Sequence, residues 1–245
     1  MSEERFLQLF NDLDKVLKRV CQLPEGQYMD VGSLLLRAKT LSTNNPVVTH
    51  WDKLYVARQL RNLMVHEKRT GLKEVAQPSQ ELLAVLEEVI EQYTHPKTIW
   101  DSLTEKQATQ PIWFMVGDPL HLALSKVEQE HFSQFPIFSE KGYEGLVTEN
   151  GITNWLARVS QQPSQFVDCF ENAILRDILH LEEKSLVVKK IYKQASLYDI
   201  VNVFEETSAS LVLVCHREDC QLKKGQDLAG LITAYDMAEI YRELG

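Results

Sequence analysis

Residues 144–156 read EGLVTENGITNWL and residues 229–241 read AGLITAYDMAEIY, so one pattern occurs twice, 85 positions apart. In both copies an apolar run ends in G-L-(V/I)-T, and a polar turn then opens an amphipathic segment. A short apolar run bounded by turn residues indicates a buried strand, and apolar residues three to four apart indicate a helix. The pattern therefore predicts a strand that leads directly into a helix, formed twice.

The similarity extends over the second half of the chain. Two earlier pairs of segments correspond at offsets of 76 and 77: TIWDSL (98–103) with ILRDIL (174–179), and DPLHLAL (118–124) with ASLYDIV (195–201). The larger final offset reflects a longer loop around 217–227 in the second copy. We predict the order strand, helix, strand, strand, helix for each copy, with FPIF (135–138) and LVLV (211–214) as middle strands.

This repeat resembles a tandem pair of cystathionine-β-synthase (CBS) domains over roughly residues 97–245. The resemblance depends on SQFPIF at 133–138, similar to the family's S-x-x-P-V-V strand, and on GLITAYD at 230–236, similar to its G-h-h-T-x-x-D turn. It implies two domains, residues 97–160 and 161–245, that pack into a disc. The clefts of such a disc bind adenine nucleotides, which here would be AMP, ATP or a cyclic dinucleotide.

The resemblance also implies the contact residues. The second copy has Thr233 on the phosphate side, Asp236 on the ribose side, and Ala209 and Ser210 beside the purine. A helix N-terminus offers amide donors to phosphate, and a carboxylate accepts ribose hydroxyls.

The first copy differs at one of these positions. It keeps Thr148 but has Gly151 where the carboxylate is expected, so we expect the second cleft to be the competent one. In the alternative interpretation, Thr-x-x-Asp only caps a helix, as this arrangement often does.

The first 95 residues predict four helices. Asn45 is a suitable N-cap with proline after it, and Gly71 lies beyond the far end, so we predict a third helix from there through His66. Pro78 and Ser79 open the fourth helix. The segment THPKT (94–98) interrupts the helical pattern, because proline removes a backbone donor and disfavours helix in the residue before it. We place the domain boundary there.

The predicted third helix carries a polar, basic face in LRNLMVHEKRTG (60–71). Its polar members fall within an arc of about 140°, while the apolar residues point elsewhere: Arg58, Arg61, Asn62, His66 and Arg69 against Leu60, Leu63 and Met64. Residues 53–73 contain six basic side chains and one acidic side chain. The local charge therefore favours an anion.

A helical domain with RNLMVH resembles the HEPN family, whose signature is arginine, a polar residue, and histidine four to six residues later. The resemblance implies a metal-independent ribonuclease acting in a groove between two protomers of a homodimer, with Arg61, Asn62 and His66 as catalytic residues. His66 would transfer the proton of a ribose 2′-hydroxyl, Arg61 would offset phosphate charge, and Asn62 would hold the imidazole. Other family members are non-catalytic. The alternative is a polar network that only holds a dimer or docks a partner.

Composition limits the remaining classes of function. A net charge of -9 disfavours a broad nucleic-acid-binding surface. The four cysteines form no C-x-x-C pair, so we expect reduced thiols, no disulfide framework and no metal site. The N-terminal residues lack a signal peptide and no apolar run has the length of a membrane span, so we expect a cytoplasmic protein. The expected fold class is α+β, a four-helix HEPN-like bundle followed by a CBS pair.

Overall fold

The computed structural model describes residues 2–24, 26–70, 76–106, 110–181 and 186–244, with the backbone alone for residues 66–70. The chain divides into two compact units. The first comprises Met1–Lys97 with Ser196–Asn202, and the second comprises Thr98–Ala195 with Val203–Gly245. The first unit is almost entirely helical and the second mixes strands and helices, so the predicted α+β class is confirmed.

The described residues of the N-terminal unit up to Lys97 form α1 (Ser2–Val20), α2 (Val31–Lys39), α3 (Pro46–Thr49), α4 (Trp51–Thr70) and α5 (Gln80–Thr94). Side-chain oxygens begin three of them. Asp30 accepts from the amides that open α2, Asn45 from those that open α3, and Ser79 from that of Leu82 in α5. These caps satisfy backbone donors that have no partner within the helix.

The apolar faces of these helices form one core. Its fully or almost fully buried members include Phe6, Phe10, Leu13, Leu17, Leu34, Leu35, Leu54, Leu83 and Leu86. Their spacing within α1 and α5 is the three- and four-residue repeat that a helix needs to bury one side.

The predicted third helix differs from the observed one in two respects. His50 interrupts it, because the His50 amide closes α3 on Pro46 O at 3.1 Å while the His50 carbonyl accepts the first bond of α4, from Leu54 N at 2.9 Å. The helix also continues to Thr70, beyond His66. Of its apolar residues, Met64 is buried but Leu63 is 43% exposed, so the apolar residues do not share one buried face.

The second unit contains the two copies of the repeat. The first copy consists of α6 (Ile99–Glu105), β1 (Phe114–Met115), α7 (Leu120–Glu130), β2 (Gln134–Ser139), β3 (Gly142–Thr148) and α8 (Glu149–Val159). After α9 (Phe166–Glu171), the second copy consists of α10 (Leu175–Leu179), β4 (Val188–Tyr192), α11 (Leu197–Thr207), β5 (Leu211–Cys215), β6 (Leu228–Thr233) and α12 (Met237–Leu244). The predicted βαββα order is confirmed in both copies.

Each copy forms a three-stranded sheet with the same topology. The orders are β1-β2-β3 and β4-β5-β6, and in each sheet the first pair is parallel and the second antiparallel. The middle strands hold the core: all five residues of β5 and the FPIF residues of β2 are buried. A strand buried on both faces reads as a continuous apolar run, which is why these segments could be identified in the sequence.

Candidate functional site

The turn between β6 and α12 contains the two polar residues predicted in the second copy. Asp236 Oδ2 accepts from Thr233 N at 2.7 Å and from Thr233 Oγ1 at 2.9 Å. The chain then enters α12, with Glu239 N and Ile240 N each donating to Asp236 O at 3.1 Å. Asp236 therefore closes the turn before the helix, and the capping arrangement of the alternative interpretation is present.

Part of this turn has no internal hydrogen bond. Within the described part of the chain, no donor bonds to Asp236 Oδ1, and the amides of Ala234 and Tyr235 have no acceptor. Tyr235 is 94% exposed. Two donors and one carboxylate oxygen are thus open to a ligand at the N-terminus of α12, where the helix dipole favours negative charge.

Ala209 and Ser210 lie at the same end of the sheet as Thr233, because Leu211 and Thr233 are register partners across β5 and β6. Ala209 is 8% exposed. Ser210 N donates to Val187 O at 2.8 Å, and Ser210 Oγ accepts from Val187 N at 3.3 Å. The structure therefore brings together all four residues predicted for the second cleft. Val187 was not predicted, and the local signal that could have indicated it is its position directly before β4, in the short apolar run 186–188.

The equivalent turn of the first copy has a different hydrogen-bond pattern. Thr148 Oγ1 accepts from Gly151 N at 3.2 Å and begins α8 as its N-cap. Thr148 is 9% exposed. With glycine at position 151, this turn has no carboxylate where the second copy has Asp236.

Helix α12 is connected by ion pairs to α6, the first helix of the second unit. Lys106 Nζ lies 3.4 Å from Glu239 Oε2 and 2.7 Å from Glu243 Oε1, and Ser102 Oγ donates to Glu243 Oε1 at 2.9 Å. Sequence analysis missed this cluster, because its members are separated by more than 130 positions and show no local pattern.

The helical motif is only partly described. Arg61 and Asn62 are half-buried neighbours on α4, and an Arg61 guanidinium nitrogen donates to Asn62 Oδ1 at 3.4 Å. Arg61 Cζ also lies 5.9 Å from the centre of the Phe10 ring. The backbone of His66 belongs to α4, and its side chain lies outside the described residues.

Arg61 and Asn62 line a cavity of about 190 Å³ in the helical unit. Residues of α1, the α1–α2 loop, α2 and α4 surround it: Phe10, Asn11, Asp14, Lys18, Tyr28, Met29, Asp30, Val31, Gly32, Arg58, Arg61 and Asn62. Among the described residues, no carboxylate lies within 4.0 Å of the Arg61 guanidinium. Arg61 is therefore accessible from a cavity and is not sealed in the core.

In the described ranges, no group of three or more His, Cys, Asp or Glu residues could hold a metal ion. In those ranges, too, no helix is both long and apolar enough to cross a bilayer.

No family model matches the sequence, and no curated protein matches it significantly. Solved structures of CBS-domain proteins resemble the chain. A CBS-domain protein of unknown function from Kribbella flavida is 16% identical, with 56% of this chain and 96% of that chain covered and a TM-score of 0.43. CBSX2 in complex with AMP is 14% identical, with coverages of 60% and 98% and a TM-score of 0.39. The CBS domain of a membrane protein from Sphaerobacter thermophilus is 11% identical, with coverages of 63% and 93% and a TM-score of 0.43.

Proposed function

We propose that the protein is an adenine-nucleotide-sensing regulator in which a CBS pair (97–160 and 161–245) controls a helical effector domain (1–95). The observation that carries the proposal is the turn at 234–236, where two free amides and one free carboxylate oxygen lie side by side at a helix N-terminus. Phosphate needs the amides and ribose needs the carboxylate, so a nucleotide uses both features.

In the proposed complex, phosphate oxygens accept from the amides of Ala234 and Tyr235 and are favoured by the dipole of α12. The ribose hydroxyls donate to Asp236 Oδ1. The purine lies against Ala209 and beside Ser210. The first copy lacks the carboxylate, so binding at its turn, which contains Thr148, would be weaker.

A nucleotide at this turn can act on the helical domain only if it changes the balance between two arrangements of the protein. The ion pairs of Lys106 with Glu239 and Glu243 offer a route inside the second unit, because they join α12 to α6. Helix α6 begins at Ile99, directly after the predicted hinge THPKT (94–98). A displacement of α12 would therefore reach the segment that leads to the helical domain.

A thermal-shift and calorimetric series with AMP, ATP and a cyclic dinucleotide tests nucleotide sensing. A nucleotide at 100 times its Kd should stabilise the protein by about 2.7 kcal/mol. Guanine nucleotides serve as the control for the base. The absence of any adenine-dependent shift, with no heat of binding, would remove the sensing proposal.

For the effector we propose a metal-independent ribonuclease. His66 would remove the 2′-hydroxyl proton, the 2′-oxygen would attack phosphorus, and the P–O5′ bond would break with the 5′-oxygen taking a proton from water, giving a 2′,3′-cyclic phosphate and a 5′-hydroxyl. Arg61 would offset the added charge on phosphate, and Asn62 would hold the imidazole. Support comes from Arg61, which lines a cavity and has no carboxylate within 4.0 Å among the residues that the structure describes.

Cleavage of total RNA, with and without each nucleotide, tests this activity. His66→Ala should lower the rate by roughly 10²- to 10⁴-fold, and a chelator should have no effect. Cleavage that is absent under every condition, or equal in the variant, would exclude the ribonuclease.

A different observation favours the second candidate, a non-enzymatic dimerisation or docking domain. Helix α4 exposes three apolar side chains, Tyr55, Val56 and Leu63, to between 43% and 54%. Clustered apolar exposure on a helix is typical of an interaction surface. Substitution of all three residues by serine should abolish a dimer under this candidate, while total RNA stays uncut by the unaltered protein.

A further inference from the structure

The cavity beside Arg61 contains more charge than the R-N-x-x-x-H motif accounts for. Arg58 lies one turn before Arg61 on α4, and both guanidinium groups line the cavity. Lys18 and Asp14 also line it, but they pair with each other at 2.6 Å and leave no net charge. The remaining charged residue is Asp30.

Asp30 is largely occupied by the start of α2. Its Oδ1 accepts from Gly32 N at 2.9 Å and from Ser33 N at 3.3 Å. The hydrogen bond from the Ser33 hydroxyl, with the backbone bonds, keeps the pKa of the Asp30 carboxyl below its usual range. The Arg58 guanidinium lies 3.9 Å from this carboxylate, which is longer than a hydrogen bond. Arg58 therefore has only a carboxylate that is already used as a cap, and Arg61 has no carboxylate within 4.0 Å among the described residues, so the cavity favours an anion.

Gly32 determines where the Arg58 guanidinium lies. A Cβ atom at position 32 would be 2.3 Å from Arg58 Nε and 2.4 Å from Arg58 Cζ. The close approach of α2 to this side chain thus requires glycine, and the guanidinium occupies the space over its Cα. The Arg58 guanidinium thus packs against the first turn of α2, and its side chain is 37% exposed.

The size of the cavity indicates the kind of anion. Its volume of about 190 Å³ is below the roughly 300 Å³ at which complete small-molecule sites begin. It can hold a phosphate with part of a base or sugar. Tyr28 lines the cavity with 86% of its surface exposed, so its ring is available for stacking. Asn11 and Asn62 offer amide groups to a base edge.

We propose that this cavity binds one nucleotide of single-stranded RNA, with the phosphate between Arg58 and Arg61 and the base on Tyr28. The choice of RNA as the polymer rests on the proposed ribonuclease function, whereas the anionic, stacking site rests on the cavity itself. Because any base can stack on an aromatic ring, the site would bind single-stranded RNA and fix where the strand lies, without preference for one base. Arg58 is then a substrate-binding residue outside the motif that sequence analysis identified.

The test measures binding of a fluorescent 2′-O-methyl RNA oligonucleotide, which lacks the attacking hydroxyl, by anisotropy with the full chain. Arg58→Gln removes one charge from the cavity. Gly32→Ala retains every charge but displaces the Arg58 guanidinium, and alanine favours the helix. Arg37→Gln is the matched control, because Arg37 is exposed on α2 and does not line the cavity.

Both cavity variants should bind the oligonucleotide about tenfold more weakly, the loss that about 1.4 kcal/mol produces. Arg58→Gln should also reduce the slope of log affinity against log salt concentration, by about the amount that one phosphate contact contributes. Arg37→Gln should match the unaltered protein. If circular dichroism shows that Arg58→Gln does not fold, the binding measured for Gly32→Ala tests the proposed site on its own.

Equal binding by Gly32→Ala and the unaltered protein, or an equal loss in Arg37→Gln, would overturn the cavity site. An inability of the unaltered protein to bind this oligonucleotide would also overturn it. Failure of the ribonuclease proposal looks different: unmodified RNA stays intact while the oligonucleotide still binds and both cavity variants weaken that binding.

Discussion

Substitution of Asp236 separates a helix cap from a nucleotide contact, because its two carboxylate oxygens have different surroundings. Oδ2 holds the amide and hydroxyl of Thr233, and Oδ1 is open. Asp236→Ala removes both oxygens. Loss of the hydrogen bonds from Thr233 should cost about 1 kcal/mol, which lowers Tm by roughly 2–4 °C in a chain of this size.

Nucleotide affinity should fall further than this loss of stability explains. Removal of a hydrogen bond to a charged group costs about 1–3 kcal/mol, or roughly 5- to 150-fold in Kd. Asp236→Asn should keep most of this stability and hence Tm, because its amide oxygen can still accept from the Thr233 amide, yet it should bind nucleotide more weakly because the charge is lost. Calorimetric titration with AMP, ATP and a cyclic dinucleotide measures the affinities.

Thr148→Ala is the matched control, because it removes the helix cap of the first copy. It should lower Tm by a similar amount and leave the affinity unchanged. If Asp236→Ala lowers Tm but both Asp236 variants bind as the unaltered protein does, the turn is only a cap. A loss of affinity in Thr148→Ala instead would place the nucleotide in the first copy.

Four further outcomes are expected. Lys106→Met should destabilise the protein by about 1–3 kcal/mol in urea, because Glu243 loses its cation, and addition of Glu243→Gln should restore part of this. Gly225→Ala should cost about 1–3 kcal/mol through overpacking, because a Cβ would lie 1.9 Å from Trp113; Trp113→Leu should relieve it. Burial and the nearby Lys193 lower the pKa of His216. The stability that the neutral imidazole contributes is therefore present above a pH of about 6.5 and is lost as the pH falls. His216→Gln should make Tm less dependent on pH between pH 7.5 and 5.5. Light scattering should give twice the chain mass of 28.2 kDa, and a monomer at micromolar concentration would contradict the dimer.

The features that sequence analysis predicted correctly are local. Asn45 and Ser79 were expected to begin helices and do so, because a cap depends on the residues within one turn of it. The βαββα order could be predicted for the same reason: FPIF and LVLV are apolar runs between turn residues. A repeat strengthens each assignment, since the second copy shows the same pattern.

The features that were missed depend on packing or on a single backbone position. A break of one residue at His50 hardly disturbs the apolar period, so the third helix was predicted as continuous. Leu63 is apolar and yet exposed, because tertiary contacts decide which side of α4 is covered. The cavity joins α1, α2 and α4 around Arg58 and Gly32, and no spacing along the chain indicates that contact.

The opposite hydrogen-bond sense of the two strand-to-helix turns has a consequence for signalling. The Thr148 hydroxyl accepts from the amide of Gly151, three residues later in the chain. The Asp236 carboxylate accepts from the amide and hydroxyl of Thr233, three residues earlier, and its Oδ1 has no donor among the described residues. Under the proposed function, a chain with one competent turn would respond to nucleotide along a simple hyperbola. Passing from one-tenth to nine-tenths occupancy would then take a roughly 80-fold rise in concentration, as mass action at a single site requires. Such a sensor would report gradual changes in nucleotide concentration, and a threshold response would need coupling between two chains.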